Sequence, residues 1–306
     1  MPGYIARRVL QLVPVLLGVS VLVFLMIHLV PGDPAQVMLQ EYGSSEQVAS
    51  LRHALGLDRP LPVQYATFVW RLLHADLGTS IRSGRSVAAE IAFRLPNTLR
   101  LTVASMAIAS ALGLLLGTLA AISHRRLLDH ASMVIALAGI SLPAFWFGLV
   151  LILIFSYYLR WLPPAGADSL LSLVLPAATL GASAAAIIAR LTRSSLLEVL
   201  RQEFVRTARA KGVRETRMLV RHALRNALIP VVSIAGLQFA GLLGGAVIVE
   251  TVFGWPGIGR LAVDAIFNRD IPMIQGIVLV GAAIFVIVNL VVDVLYGFLD
   301  PRISYT

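Results

Sequence analysis

The stretch between residues 204 and 230 has residue types and spacing that suggest a specific task. It reads Phe204-Val205-Arg206-Thr207-Ala208-Arg209-Ala210-Lys211-Gly212, and later Arg221-His222-Ala223-Leu224-Arg225-Asn226 and Pro230. On a helix, Phe204, Val205, Ala208 and Lys211 fall near one face, so a short small-residue knob with a basic rim would suit a groove in another protein. The same basic residues equally suit a topology anchor or a contact with anionic lipid. Catalytic chemistry has no comparable foothold. The chain lacks a G-x-x-x-x-G-K-[S/T] phosphate loop, an H-E-x-x-H zinc pair and a G-x-S-x-G elbow. It contains no cysteine, which excludes disulfides, thiolate metal sites and thiol nucleophiles. No catalytic residue, metal ligand or cofactor of its own is expected.

The elements that must carry the basic stretch are membrane spans. With 58% hydrophobic and 13% charged residues over 306 positions, the chain holds more apolar surface than a water-soluble core can bury. A transmembrane helix needs about 20 mostly apolar residues, and the stretches 9–30, 97–123, 131–159, 170–189, 229–249 and 272–298 reach that length. The expectation is an all-α integral membrane protein with six transmembrane helices. The first stretch is longer than the core of a secretory signal and runs into Val30-Pro31-Gly32-Asp33-Pro34, so it reads as a retained anchor.

Arginine and lysine resist translocation, so their distribution sets the orientation. Arg7 and Arg8 precede the first span, and Arg125 and Arg126 lie in the second connection. The fourth connection, residues 190–226, holds ten basic and three acidic residues, whereas residues 31–95 hold six of each. Both termini and the 190–226 connection are therefore expected in the cytoplasm. Residues 31–95 are expected outside, as a small helical cap with stretches near 46–55 and 63–73 separated by a turn at Leu57-Asp58-Arg59-Pro60-Leu61-Pro62. The net charge of +9 is explained by topology and needs no nucleic acid.

Two further sets of residues need a reading. Gly113 with Gly117, and Gly241 with Gly245, form small-xxx-small faces that allow close helix packing. The sharper alternative is that Gly241, Gly244 and Gly245 line a gate that bulky residues would block. Polar groups at membrane depth are costly, so His28, Gln238, Glu250, Asn289 and Asp293 require partners. Interfacial solvation is expected for His28 and Glu250. A neighbouring helix or the basic loop is expected to partner Asn289 and Asp293.

The basic stretch resembles the coupling segment of permease subunits of ATP-binding cassette importers, in particular the dipeptide, oligopeptide, nickel and glutathione permease family. Ala208 and Gly212 match the motif's small residue and glycine, and Pro230 its closing proline, while Arg206 stands where the general motif has glutamate. The resemblance extends along nearly the whole chain. It includes Leu55-Gly56-Leu57-Asp58, Asp76-Leu77-Gly78-Thr79-Ser80, Ser141-Leu142-Pro143-Ala144-Phe145-Trp146, the run from Leu243 to Phe253, Trp255-Pro256-Gly257-Ile258-Gly259, Arg269-Asp270-Ile271-Pro272 and Leu299-Asp300-Pro301-Arg302. The compact cap and Ala165-Gly166-Ala167-Asp168-Ser169 are similar to glutathione-type permeases.

The resemblance implies a type I ABC importer permease fold. Residues 1–30 would hold the N-terminal tail and first helix, residues 31–95 the external cap, residues 96–299 the permease core and residues 300–306 a cytoplasmic tail. The coupling segment, at about 190–228, would dock on an ATPase through Phe204, Val205, Thr207, Ala208, Lys211 and Gly212. Implied partners are a second homologous permease subunit, two ABC ATPase subunits that bind ATP and magnesium, and an extracytoplasmic substrate-binding protein. Cargo would be a small peptide such as a dipeptide, an oligopeptide or glutathione, or else a nickel chelate. The competing classes are a secondary transporter or channel, which needs relay charges and often inverted repeats, and a membrane-embedded hydrolase, which needs a converging nucleophile and base.

Overall fold

A computed structural model describes residues 2–29, 34–39 and 44–299. The Val30-Pro31-Gly32-Asp33 part of the first motif and the Asp300-Pro301-Arg302 tail lie outside the described residues, as do the side chains of Arg7, Arg8 and Asp293. Among the described residues there is no β-strand, only an isolated bridge between Thr79 and Ser86. This follows from the solvent: in hydrocarbon every backbone N–H and C=O must be satisfied internally, which a helix achieves within one segment.

The elements are α1 (Pro2–Leu29), α2 (Pro34–Leu39), α3 (Ser45–Leu55), α4 (Leu61–Leu73), α5 (Val87–Ile122), α6 (Leu127–Ser141) and α7 (Ala144–Leu151). They continue with α8 (Val174–Val199), α9 (Glu203–Ala210), α10 (Glu215–Arg217), α11 (Arg225–Val252), α12 (Ile258–Phe267) and α13 (Ile271–Leu299). A π-helical turn, Ile152–Tyr158, extends α7, and another, Met218–Leu224, joins α10 to α11. Among the described residues, four helical stretches are long and apolar enough to cross a membrane: Val87–Ile122, Leu171–Val199, Glu215–Val252 and Ile271–Val292. Helix α1 contributes a shorter apolar stretch, Leu10–Met26.

The remaining expected span, over residues 131–159, departs from a single rod. It consists of α6 followed by α7 and its π turn, bent by 112° at the break between Ser141 and Ala144. The cause is local. Pro143 has no N–H to donate and its ring disfavours the helical region for the residue before it. Leu142 accordingly sits in extended backbone, φ −88° and ψ 131°, and Pro143 restarts the chain as the N-cap of α7. At the other spans the helices run past the apolar stretch, since α5 starts at Val87 and carries Pro96 inside it.

The chain divides into two compact units. The first comprises residues 1–96 and 257–290, and the second residues 97–256 and 291–306. In the first unit a capping box starts α3: Gln47 N–H donates to the Ser44 hydroxyl oxygen and Ser44 N–H donates to Gln47 Oε1. Gly56, at φ +68°, ends it in the left-handed conformation. Helix α4 lies against α1, with Tyr65 and Phe68 packed on Phe24 and the Tyr65 hydroxyl 2.9 Å from that of Ser20. The apolar centre of this unit gathers Val87, Ile91, Ile258, Leu261, Met273 and Ile277. Asp270, buried at the start of α13, accepts from the Ser80 hydroxyl and from the N–H groups of Ile81 and Met273. At the exposed turn after α4, the Gly78 N–H and then Arg71 hold the Asp76 carboxyl below its ordinary range.

The second unit is organised around α8, the most buried of the candidate spans. Leu175, Leu180, Ala184 and Ile188 enter a core shared with Leu101, Ala109, Leu242, Val249 and Phe253. Small residues let the neighbouring helices approach α8 at backbone distance. A methyl group placed on Gly117 would stand 2.5 Å from the Ala189 carbonyl oxygen, and one on Gly139 2.6 Å from that of Ala182. Such contacts suit a bilayer, where helices gain little hydrophobic drive against one another and rely on close packing.

Candidate functional site

Helix α8 ends at Val199, and a short turn leads into α9, whose eight residues contain most of the expected coupling positions. Their surroundings divide that set. Val205 is 0% exposed and packs with Ala121, Leu196, Val199, Met218, Ala223 and Ala227 of the same chain, with Ala208 and Val213 partly buried beside them. Phe204, Arg206, Thr207, Lys211 and Gly212 face outward. The apolar positions expected to share one docking face thus separate, because one turn of an amphipathic helix must also anchor α9 to its own protein. Val205 does that anchoring, and the accessible surface is Phe204, Thr207 and Lys211 with the charged residues between them.

The end of α9 explains its glycine. Gly212 has φ +74°, its N–H donates to the Arg209 carbonyl, and the Val213 N–H donates back to the Ala208 carbonyl. A methyl group at Gly212 would meet nothing within 4 Å, so the constraint there is backbone conformation and not space. Arg209 then clasps Glu215 at 2.7 Å, and Arg206 pairs with Glu203 one turn back. These exposed pairs are each worth about 0.5 kcal/mol.

Between α6 and α8 stands a group that sequence reading missed. Asp129, 2% exposed, receives a bidentate bond from Arg193, Nε to Oδ1 at 2.7 Å and Nη2 to Oδ2 at 2.8 Å. The Arg125 N–H adds a third bond at 3.0 Å. The pair ties the first turn of α6 to the last turns of α8, six residues before the latter ends. A single aspartate opening an apolar helix was the available signal, but its partner lies 64 positions away.

The glycines of α11 occupy different environments from those of α5. Methyl groups added at Gly241 or Gly244 would meet nothing within 4 Å, and one at Gly245 would only touch Leu180 at 3.4 Å. Gly241, Gly244 and Gly245 are exposed, beside exposed Leu237 and Ile248, and half-buried Gln238 precedes them. By contrast, Gly113 would drive a methyl to 2.6 Å from Ile188 Cγ2.

Two expectations about polar groups are corrected, those for Glu250 and Asn289. Glu250 is not solvated at an interface: it is 0% exposed and accepts the Thr98 hydroxyl at 2.7 Å. Burial of a carboxylate demands such donors. Nearby, Trp255 Nε1 donates to the Asn97 carbonyl and Asn97 Nδ2 donates to the Pro256 carbonyl, so α5, just past its Pro96, is tied to the segment that follows α11. His28 is half-buried, with Nδ1 3.2 Å from the Phe24 carbonyl and Nε2 3.1 Å from Gln64 Oε1. Asn289 donates to the Phe285 carbonyl one turn back on its own helix, and among the described residues its side chain bonds to no neighbouring element. Among the described residues, no group of three or more histidine, aspartate or glutamate side chains could hold a metal ion.

Residues 113–305 match the family described as binding-protein-dependent transport system inner membrane component. Residues 1–102 match the corresponding N-terminal family of membrane components. The chain is 49% identical over 305 residues to the glutathione transport system permease protein GsiC of Salmonella typhimurium, with both chains fully covered. It is 48% identical to GsiC of Escherichia coli K12, again over the full length of both. Among solved structures, an inward-facing MetNI methionine ABC transporter chain aligns with a TM-score of 0.59 at 17% identity, covering 69% of this chain and 96% of that one. A chain of an amino acid ABC transporter aligns at 0.54 and 15% identity, covering 69% and 94%.

Proposed function

The chain belongs to the family of binding-protein-dependent transport system inner membrane components, and we propose that it forms, with a second homologous permease, the path by which an ABC importer takes up glutathione. It is a multi-pass permease component, not itself catalytic. The observation that carries the cargo is the full-length identity of 49% to glutathione permeases, well beyond what a shared fold requires. In this reading an extracytoplasmic binding protein delivers the peptide. Two ATPase subunits, which bind ATP and magnesium, supply the energy from the cytoplasm. Both termini and α9 lie on the cytoplasmic side, in keeping with the ten basic residues of 190–226.

The mechanism divides between two places. Helix α9 enters a groove of the ATPase with Phe204, Thr207 and Lys211, while buried Val205 and half-buried Ala208 fix it to the ends of α8 and α11. A docked helix moves as a rigid body, so closure of the ATPases shifts those spans. The open glycine face of α11, Gly241, Gly244 and Gly245, lines the path, where it leaves room for cargo. Alternating access follows if the two permeases rock about that face.

The test is reconstitution of the chain with its cognate permease, ATPases and binding protein in proteoliposomes. ATP hydrolysis and uptake should both rise with glutathione-loaded binding protein. Stimulation by dipeptides or a nickel chelate, with none by glutathione, would replace the cargo and keep the permease. Orientation is checked separately with single cysteines and an impermeant thiol reagent in intact cells. Labelling of residue 213 from outside would overturn the topology.

A further inference from the structure

The bend between α6 and α7 leaves a cavity of about 520 Å³ against α8. Its walls are apolar throughout, with Leu116, Leu142, Phe155 and Leu162 facing Leu175 and Ala178. That volume falls within the range of about 300–1,000 Å³ typical of small-ligand pockets. All the elements around it, α5, the bent α6–α7 pair and α8, are candidate membrane spans. An apolar cavity between such helices offers hydrocarbon chains a surface to pack against.

One end of the cavity has a different chemistry. Phe155 and Leu162 line it, and between them the chain makes a tight turn in which the N–H groups of Trp161 and Leu162 both donate to the Phe155 carbonyl. Arg160 holds a left-handed conformation in this turn, φ +55°, which costs a non-glycine residue about 1–2 kcal/mol. The turn keeps Leu162 on the cavity wall while Arg160, Trp161, Tyr157 and Tyr158 stand exposed outside it. Tyrosine and tryptophan settle at the headgroup level of bilayers, and arginine pairs with phosphate in a bidentate fork.

We propose that this cavity is a binding site for one acyl chain of a membrane phospholipid, with the lipid's phosphate held at Arg160 beside Trp161. The alternative occupant, a helix of a partner subunit, would give the exposed Arg160 and the aromatic side chains around it no headgroup to meet. A lipid seated there wedges the α6–α7 bend and braces it against α8. The inference stands on the membrane setting alone and is independent of the cargo.

The experiment uses the assembled transporter, purified in mild detergent and reconstituted with a phospholipid carrying a photoreactive diazirine in one acyl chain. Cross-links mapped by mass spectrometry should concentrate at Phe155, Leu175 and Ala178 over exposed Val103 and Leu115. Filling the cavity with Ala178→Phe should cut labelling there roughly tenfold, the change produced by about 1.4 kcal/mol of lost affinity. Ala138→Phe, on the exposed rim, repeats the test if the first variant accumulates poorly. Arg160→Gln should weaken labelling by the phospholipid but not by a diacylglycerol with the same chains. Equal labelling at Val103 and the cavity, or no change in either filled variant, would reduce the lipid to ordinary annular contact and overturn the site. Cross-links from these residues to the partner permease would overturn it in favour of a subunit interface.

Discussion

Two glycine faces in the second unit look alike as sequence and differ in what they touch. Gly113 and Gly117 on α5 lie against Ala185, Ile188, Ala189 and Thr192 of α8, so that no Cβ fits at either position without displacing backbone. Among the described residues, a Cβ added at Gly241 or Gly244 on α11 would meet nothing within 4 Å. The first pair is taken up by the fold, whereas the second stays open. The same division runs through α9, where Val205 is spent on the core and Phe204 and Thr207 are left outside. The lesson is that spacing identifies a face but not its partner.

The comparison makes ordered predictions. Gly117→Leu should have the largest effect, because Cβ alone would press to 2.5 Å from the Ala189 carbonyl oxygen. Overpacking costs about 1–3 kcal/mol where side chains can adjust, and here a backbone is in the way. The variant should fail to accumulate in membranes by immunoblot, and normal accumulation would show that the α5–α8 contact is looser than described. Asp129→Ala comes next. Breaking a fully buried ion pair costs about 3–5 kcal/mol, and the partial exposure of Arg193 brings this toward the lower end. The expected result is a lowered melting temperature in detergent with membrane insertion preserved.

Gly212→Val should cost less stability, about 1–2 kcal/mol of local strain, yet abolish uptake and substrate-stimulated ATP hydrolysis if α9 is the mechanical link. Ala208→Trp is a poorer probe of docking, because Ala208 is partly buried in the chain's own core. Thr207→Trp, on the outward face, tests docking without that complication, and wild-type uptake in both Gly212→Val and Thr207→Trp would leave the basic loop as a topology anchor. Gly241→Leu should leave melting temperature and accumulation unchanged while uptake falls, since the added side chain enters open space in this chain. A loss of accumulation instead would place Gly241 with the packed glycines. Arg217→Gln, at an exposed residue, should change neither stability nor uptake measurably.

Much of this was legible in the residues themselves. Apolar length marked the spans, arginine placement suggested their orientation, and Gly212 marked the end of α9, because hydrocarbon burial, translocation cost and left-handed backbone are properties that a local stretch carries in its own composition. The break at Leu142-Pro143 was present in the letters too, but a hydropathy reading averages over a proline and saw one span where the backbone makes two helices. What the tertiary structure alone decided is the pairing of distant groups. Glu250 looked like an interfacial carboxylate until α5 brought Thr98 to it from 152 positions away. Asp129 looked unremarkable until α8 returned Arg193. Which of two similar glycine faces is buried, and which side of α9 is free, likewise depend on where other helices end up. Sequence sets the energy of each residue in water, lipid or helix, but the partner that satisfies it is fixed only when the helices pack.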